Sequence, residues 1–215
     1  MKLSKYIDHT LLKADASVLD IKKLCKEAID YDFKSVCINP CNIEICKEEL
    51  KNSDVLVCTV IGFPLGAMST ESKIFEAKDA IQKGADEIDM VINVGRLKDK
   101  DFAYCINEIK RIKEVCNEKA LKVIIETCLL KNEEIVNACN CAIDAGADFV
   151  KTSTGFSTAG ATFEGVKLIK ETVKENCLIK AAGGVKTHED MLKMIELGAN
   201  RIGTSSGTKL INKGE

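Results

Sequence analysis

The sequence predicts an α/β fold, a single-domain (β/α)8 or TIM barrel, on three observations. Eight strand-like apolar runs alternate with segments of helical period, at a spacing that leaves only short connections. One phrase recurs three times, as Gly84-Ala85-Asp86, Gly146-Ala147-Asp148 and Gly198-Ala199-Asn200, each between an amphipathic run and an apolar one. A length of 215 residues holds one such barrel, spanning 1–215, with no room for a second domain.

In chain order the strands are expected to begin near Tyr6, Ser35, Val55, Glu87, Leu121, Phe149, Leu178 and Arg201. Between the first two, Val18, Ile21, Leu24 and Ala28 repeat at helical spacing. Before the fourth, sixth and eighth strands, the glycine of the repeated phrase marks a helix C-terminus. Ahead of the last strand, Met191, Met194 and Ile195 form a helical face, and Thr187 with Asp190 three residues on reads as its capped start.

Composition excludes several functions. The 31 Lys and Arg are balanced by 33 Asp and Glu, with a net charge of -2 and no long block of one sign, so nucleic acid is not an expected partner. Residues 1–8 carry Lys2, Lys5 and Asp8 and no apolar core, so no secretory signal is expected there and a cytoplasmic location is. The uncharged stretch from Val55 to Thr70 is broken by Gly62, Pro64 and Gly66, and no membrane partner is expected. No GxGxxG with its acidic follower and no GxxxxGK[ST] occurs. The eleven cysteines form no CxxC pair, and Cys37, Cys58 and Cys128 lie in or beside apolar runs as buried thiols would. With His9 and His188 as its only histidines, the chain is expected to hold no metal and no other cofactor.

Barrel chemistry is expected at the C-terminal ends of the strands. Asp89, Lys122, Lys151 and Lys180 lie in the fourth to seventh strand runs. A single lysine there most often snorkels to water, but three on consecutive strands with a carboxylate form a constellation. A desolvated lysine beside a second cation is a neutral nucleophile near pH 7, able to form a Schiff base with a carbonyl. Small residues gather after the last two strands, in Ala181-Ala182-Gly183-Gly184 and Gly203-Thr204-Ser205-Ser206-Gly207. They read either as turn residues or, with a helix N-terminus following the eighth strand, as a phosphate site. Cys37, closing the second strand run, is expected near the barrel mouth and within reach of reactive aldehydes.

The segments Ile7-Asp8-His9-Thr10, Glu87-Ile88-Asp89-Met90-Val91, Leu121 to Thr127, Phe149 to Gly155, Lys180 to Val185 and Gly203 to Ser206 make the chain resemble the deoxyribose-phosphate aldolases, class I aldolases on a (β/α)8 barrel. The resemblance implies reversible cleavage of 2-deoxy-D-ribose 5-phosphate to acetaldehyde and D-glyceraldehyde 3-phosphate. It implies that Lys151 forms the Schiff base, that Lys180 is the second lysine keeping it neutral, and that Asp89 relays protons. Asp8, Thr10 and Lys122 would support the substrate hydroxyls and the relay. Gly155, Gly183, Gly184, Gly203, Ser205 and Ser206 would complete the substrate site, and a homodimer would be the assembled form. Two departures from some members stand out. Phe156 follows Gly155 where others carry a lysine, and Leu210 to Glu215 contains no tyrosine of the kind some use for proton transfer. The phosphate is accordingly expected to rest mainly on backbone and hydroxyl donors. Two other readings stay open: a transaldolase or other Schiff-base sugar aldolase, and a sugar-phosphate-binding regulator on a catalytically silent barrel.

Overall fold

A computed structural model describes residues 2–211. Eight parallel strands close into a barrel in sequence order: β1 (Ile7–Leu11), β2 (Ser35–Ile38), β3 (Leu56–Ile61), β4 (Glu87–Val91), β5 (Ala120–Ile124), β6 (Phe149–Lys151), β7 (Leu178–Ala182) and β8 (Arg201–Thr204). Every start lies within one residue of its sequence expectation. A parallel strand covered by helices is buried along its whole length, so it reads as a continuous apolar run whose edges are sharp. Closure is made by β1 against β8, with Asp8 opposite Gly203 and His9 opposite Thr204.

The outer layer comprises α1 (Val18–Asp30), α2 (Ile43–Glu49), α3 (Thr70–Gln82), α4 (Val94–Lys98), α5 (Phe102–Cys116), α6 (Asn132–Asp144), α7 (Phe163–Val173), α8 (His188–Glu196) and α9 (Gly207–Leu210). The predicted cap of α8 is a full capping box: Asp190 N donates to Thr187 Oγ1 at 3.0 Å, and Thr187 N donates to the Asp190 carboxylate at 3.1 Å. The repeated phrase ends α3, α6 and α8 with glycines at φ 105°, 76° and 110°, a left-handed turn that a Cβ would strain. On α1, Ile21, Leu24 and Ala28 are buried as expected, whereas Val18 is half exposed at the first turn.

The core between strands and helices is aliphatic, with Ile, Val, Ala and Cys predominating. A small separate cluster of Leu12, Cys37, Cys58 and Val60 fills part of the barrel interior, with Phe63 against it. Cys37 is therefore fully buried in β2 rather than at the mouth, because its side chain points inward beside Cys58, its register partner on β3. Cys128 also departs from expectation. It is half buried, in a short 3-10 turn (Thr127–Leu129) after β5. No helix among the described residues is long and apolar enough to cross a membrane. Residues 212–215, most of the segment noted for its missing tyrosine, lie outside the described residues.

Candidate active site

A cavity of about 430 Å³ opens at the C-terminal end of the strands. Its floor includes Lys151, the last residue of β6, and its walls include Thr10, Gly155, Phe156 and Gly203. Gly183, Gly184, Ser205 and Ser206 complete one side. Of the residues proposed from the sequence, Asp8, Asp89, Lys122 and Lys180 do not border this cavity. They occupy the interior layer beneath it, each fully buried. Asp89, Lys122 and Lys180 sit in mid-strand rather than at strand ends, as had been expected, and lysine's long side chain brings Lys180 up to the same carboxylate that Lys151 reaches.

Asp89 is the hub of this layer. Its Oδ2 accepts from Lys151 Nζ and Lys180 Nζ, each at 2.8 Å. Its Oδ1 accepts from Lys122 Nζ at 2.9 Å and from the Cys58 thiol at 3.1 Å. Burial alone would raise the Asp89 carboxyl, but the ammonium groups of Lys122, Lys151 and Lys180 hold it well below the usual carboxylate range. For Lys180, burial works against the charge, yet Asp8 at 2.6 Å and Asp89 hold the ammonium well above the ordinary lysine range. Lys122 behaves likewise: desolvation is outweighed by Asp89, Cys58 and Glu87, and its ammonium is also raised. At rest Lys180 and Lys122 are thus cations, and Asp89 is an anion.

The sequence reading missed two members of the layer. Glu87 opens β4 and Arg201 opens β8, both 5% exposed. Arg201 Nη2 donates to Glu87 Oε2 at 2.7 Å, and Nε donates to Asp8 Oδ1 at 2.6 Å. A charged residue at the first position of a strand run looks in sequence like a solvent-facing end, which hid both. Glu126, just after β5, was also missed as a contributor. Its buried carboxylate accepts from Thr154 N at 3.2 Å and from the Thr154 hydroxyl, and so holds the loop carrying Thr154 and Gly155 at the cavity.

The glycines of the cavity wall have a structural task of their own. Gly183 and Gly184 adopt φ 71° and 79°, and a Cβ on Gly160 would come within 2.4 Å of the Gly183 carbonyl carbon. Ala161 N donates to the carbonyls of Ala182 and Gly183 at 3.1 and 3.0 Å, which staples the loop after β6 onto the end of β7. Two features bear on an anion at this side of the cavity. The helix after β8 is one turn, α9, too short to supply a macrodipole. Cations, in contrast, are present: Lys13, Lys186 and Lys209 border the cavity with the serines. Surface lysines are too common in this chain for sequence alone to single these three out.

Among the described residues, Cys37, Cys58 and Asp89 form a group of metal-type donors whose ligand atoms lie within 4.8 Å of one another. Its donor set suits a cation poorly, because both Asp89 oxygens already accept from lysines, three in all. Phe156, 54% exposed, meets the ring of Phe63 edge-on with centroids 5.3 Å apart, making an aromatic lip on the cavity.

Comparison with known proteins agrees with this architecture. A family model described as DeoC/LacD family aldolase matches residues 2–212. The chain belongs to the DeoC/LacD family of aldolases. This aldolase is 61% identical over 211 residues to the deoxyribose-phosphate aldolase of Finegoldia magna, covering 98% of this chain and 99% of the relative. It is 60% identical over 206 residues to that of Clostridium perfringens, covering 95% and 92%. Among solved structures, the aldolase superposes on the tetrameric deoxyribose phosphate aldolase of Aeropyrum pernix with a TM-score of 0.90 at 32% identity, covering 97% of this chain and 88% of the other.

Proposed function

We propose that this aldolase reversibly cleaves 2-deoxy-D-ribose 5-phosphate to acetaldehyde and D-glyceraldehyde 3-phosphate through a Schiff base on Lys151. The observation that carries the reading is that Lys151, alone among the charged residues on Asp89, borders the cavity. Relatives about 60% identical along nearly the whole chain bear the name of that activity. The whole chain, 1–215, acts as one catalytic domain in this reading.

Lys151 Nζ, as the free amine, attacks C1 of the open-chain sugar, and loss of water leaves an iminium. The iminium draws the electrons of the C2–C3 bond toward nitrogen as the C3 hydroxyl gives up its proton. D-glyceraldehyde 3-phosphate departs and a neutral enamine remains. Protonation at C2 and addition of water release acetaldehyde and restore the amine. Asp89 stays ionised and faces the iminium charge as it forms, while Lys180, on the same carboxylate oxygen, is the proton reservoir for the cycle. No step requires a metal.

Borohydride added with acetaldehyde should fix one C2 unit on the protein, and peptide mapping should place it on Lys151, in protein dialysed against a strong chelator as in untreated protein. An adduct on Lys180 or Lys122 alone would overturn the assignment. Acetaldehyde as sole donor with D-glyceraldehyde 3-phosphate separates this activity from a transaldolase, and turnover of any kind excludes a silent regulator.

The phosphate is assigned to the side of the cavity formed by Gly183, Gly184, Ser205 and Ser206, with Lys13, Lys186 and Lys209 supplying charge. Ser206→Glu should raise KM for the phosphorylated sugar by about tenfold or more through like-charge repulsion. The slow reaction of unphosphorylated 2-deoxyribose should change little. Equal loss of both activities would show that Ser206 serves the fold or the chemistry instead. A cytoplasmic homodimer completes the reading, and sedimentation analysis distinguishes it from the tetramer named for the Aeropyrum pernix relative.

A further inference from the structure

The charged side chains inside the barrel form a closed ring. Starting from Asp89, Lys122 Nζ lies 2.9 Å from Oδ1 and 2.7 Å from Glu87 Oε2. Glu87 Oε2 lies 2.7 Å from Arg201 Nη2, and Arg201 reaches Asp8 Oδ1. Asp8 Oδ2 is 2.6 Å from Lys180 Nζ, which returns to Asp89 Oδ2 at 2.8 Å. Three carboxylates and three cations alternate, and each has two partners of opposite sign. The ring is neutral by itself. Lys151 stands outside it, with one carboxylate contact, onto an Asp89 oxygen already engaged by Lys180.

We propose that Glu87 and Arg201, which do not border the cavity, are positioning residues of the reaction: by closing the ring they hold Asp89 and Lys180 against Lys151 and balance the interior charge without it, leaving Lys151 as the lysine that sheds its proton. The inference rests on the Schiff-base reading of Lys151. An ammonium on Lys151 gives the interior a net charge of +1, whereas the free amine leaves it neutral. In a buried, low-dielectric layer an unbalanced charge is costly, so the ring sets the charge against which Lys151 works. Each ring cation, by contrast, is committed to two carboxylates.

The titratable and charged groups of the interior around Lys151 are Asp8 on β1, Cys37 on β2, Cys58 on β3 and Glu87 and Asp89 on β4. Lys122 on β5, Lys180 on β7 and Arg201 on β8 complete the set, and Glu126 beyond β5 is engaged with Thr154. Cys58 donates to Asp89 and burial pushes its thiol up, whereas the hydrogen bond with Cys58 brings the Cys37 thiol down to about 7, a charge common to every variant compared below. Changing the count of charges therefore has a predictable sign. Removing Arg201 leaves the interior at -1 with the free amine, which favours protonation of Lys151. Removing the charge of Glu87 leaves it at +1, which disfavours protonation.

The test is the pH dependence of borohydride trapping with acetaldehyde as the probe. The acidic limb of the profile should move to lower pH by about one unit in Glu87→Gln and to higher pH by about one unit in Arg201→Met. The Glu87→Gln/Arg201→Met double variant restores the count and should return the limb toward its original position, as should Arg201→Lys by itself. A merely structural role for the two residues would lower the yield of folded protein or the trapping rate without shifts of opposite sign. Should Arg201→Met fail to fold, Glu87→Gln and Arg201→Lys decide the matter. An unmoved limb in Glu87→Gln, or shifts of the same sign in both single variants, overturns the proposal. Failure of the underlying reading is distinct, because it shows as an adduct away from Lys151 in the unsubstituted protein.

Discussion

Lys151→Met should abolish turnover, by at least about 10⁴-fold, while leaving the protein folded and close to its original melting temperature. The loss is large because the covalent route disappears entirely, and the rest of the site then faces an aldehyde with no amine to activate it. Retention of the fold follows from the ring. With Lys151 gone, Asp89 still has Lys122 at 2.9 Å and Lys180 at 2.8 Å, so no buried charge is left without a partner, and Met fills much of the same volume. Steady-state assay and thermal melting of the same preparation check both halves. Residual turnover within about tenfold of the original would dismiss Lys151 as nucleophile. A large fall in melting temperature would show that its ammonium was needed by the ring.

Asp89→Asn should do the reverse to stability and nearly as much harm to catalysis. The carboxylate accepts from three lysines and a thiol, and neutralising it leaves Lys122 and Lys180 each with a single carboxylate. Breaking buried pairs in this way costs about 3–5 kcal/mol, a large part of the net stability of a typical domain. Turnover should fall about 10²- to 10⁴-fold through loss of charge stabilisation and of the carboxylate that holds Lys180 beside Lys151. The pH dependence of stability has a definite sign. Because the Asp89 carboxyl is depressed in the native state, its contribution is present above the ordinary carboxylate pKa of about 3.9 and is lost as pH falls through the native value. Denaturant midpoints should therefore drop less steeply on acidification in Asp89→Asn than in the original chain. Parallel curves would deny Asp89 its place as the anionic hub.

The frame of the barrel was readable because burial on both faces makes each strand an apolar run, and because the helices before β4, β6 and β8 end in a left-handed turn that the repeated glycine supplies. Lys122, Lys151 and Lys180 could be read because three lysines on consecutive apolar runs have no bland explanation. Glu87 and Arg201 could not, since nothing local distinguishes a strand's first residue that turns inward from one that meets water. The positions of Asp8 and Lys122 beneath the cavity, rather than on its wall, depend on how far each strand is displaced along the barrel axis, a property of closure that no single segment encodes. Lys13 and Lys186, from two loops, and Lys209, from α9, meet at the cavity, and such convergence exists only after folding.

Arg201 and Asp8 are 193 positions apart, and this separation bears on how the protein is made. During synthesis Asp8 leaves the ribosome early, and its cationic partner follows only when β8 emerges. Until then β1 and β7 are free edges, and Asp8 and Glu87 lack the guanidinium that joins them. A nascent chain holding seven strands therefore has both an open sheet and an interior short of one positive charge. The last strand supplies the seam and the missing cation in a single docking event, which makes closure cooperative and late. Chains halted before residue 201 should accordingly be the ones that chaperones hold and proteases remove.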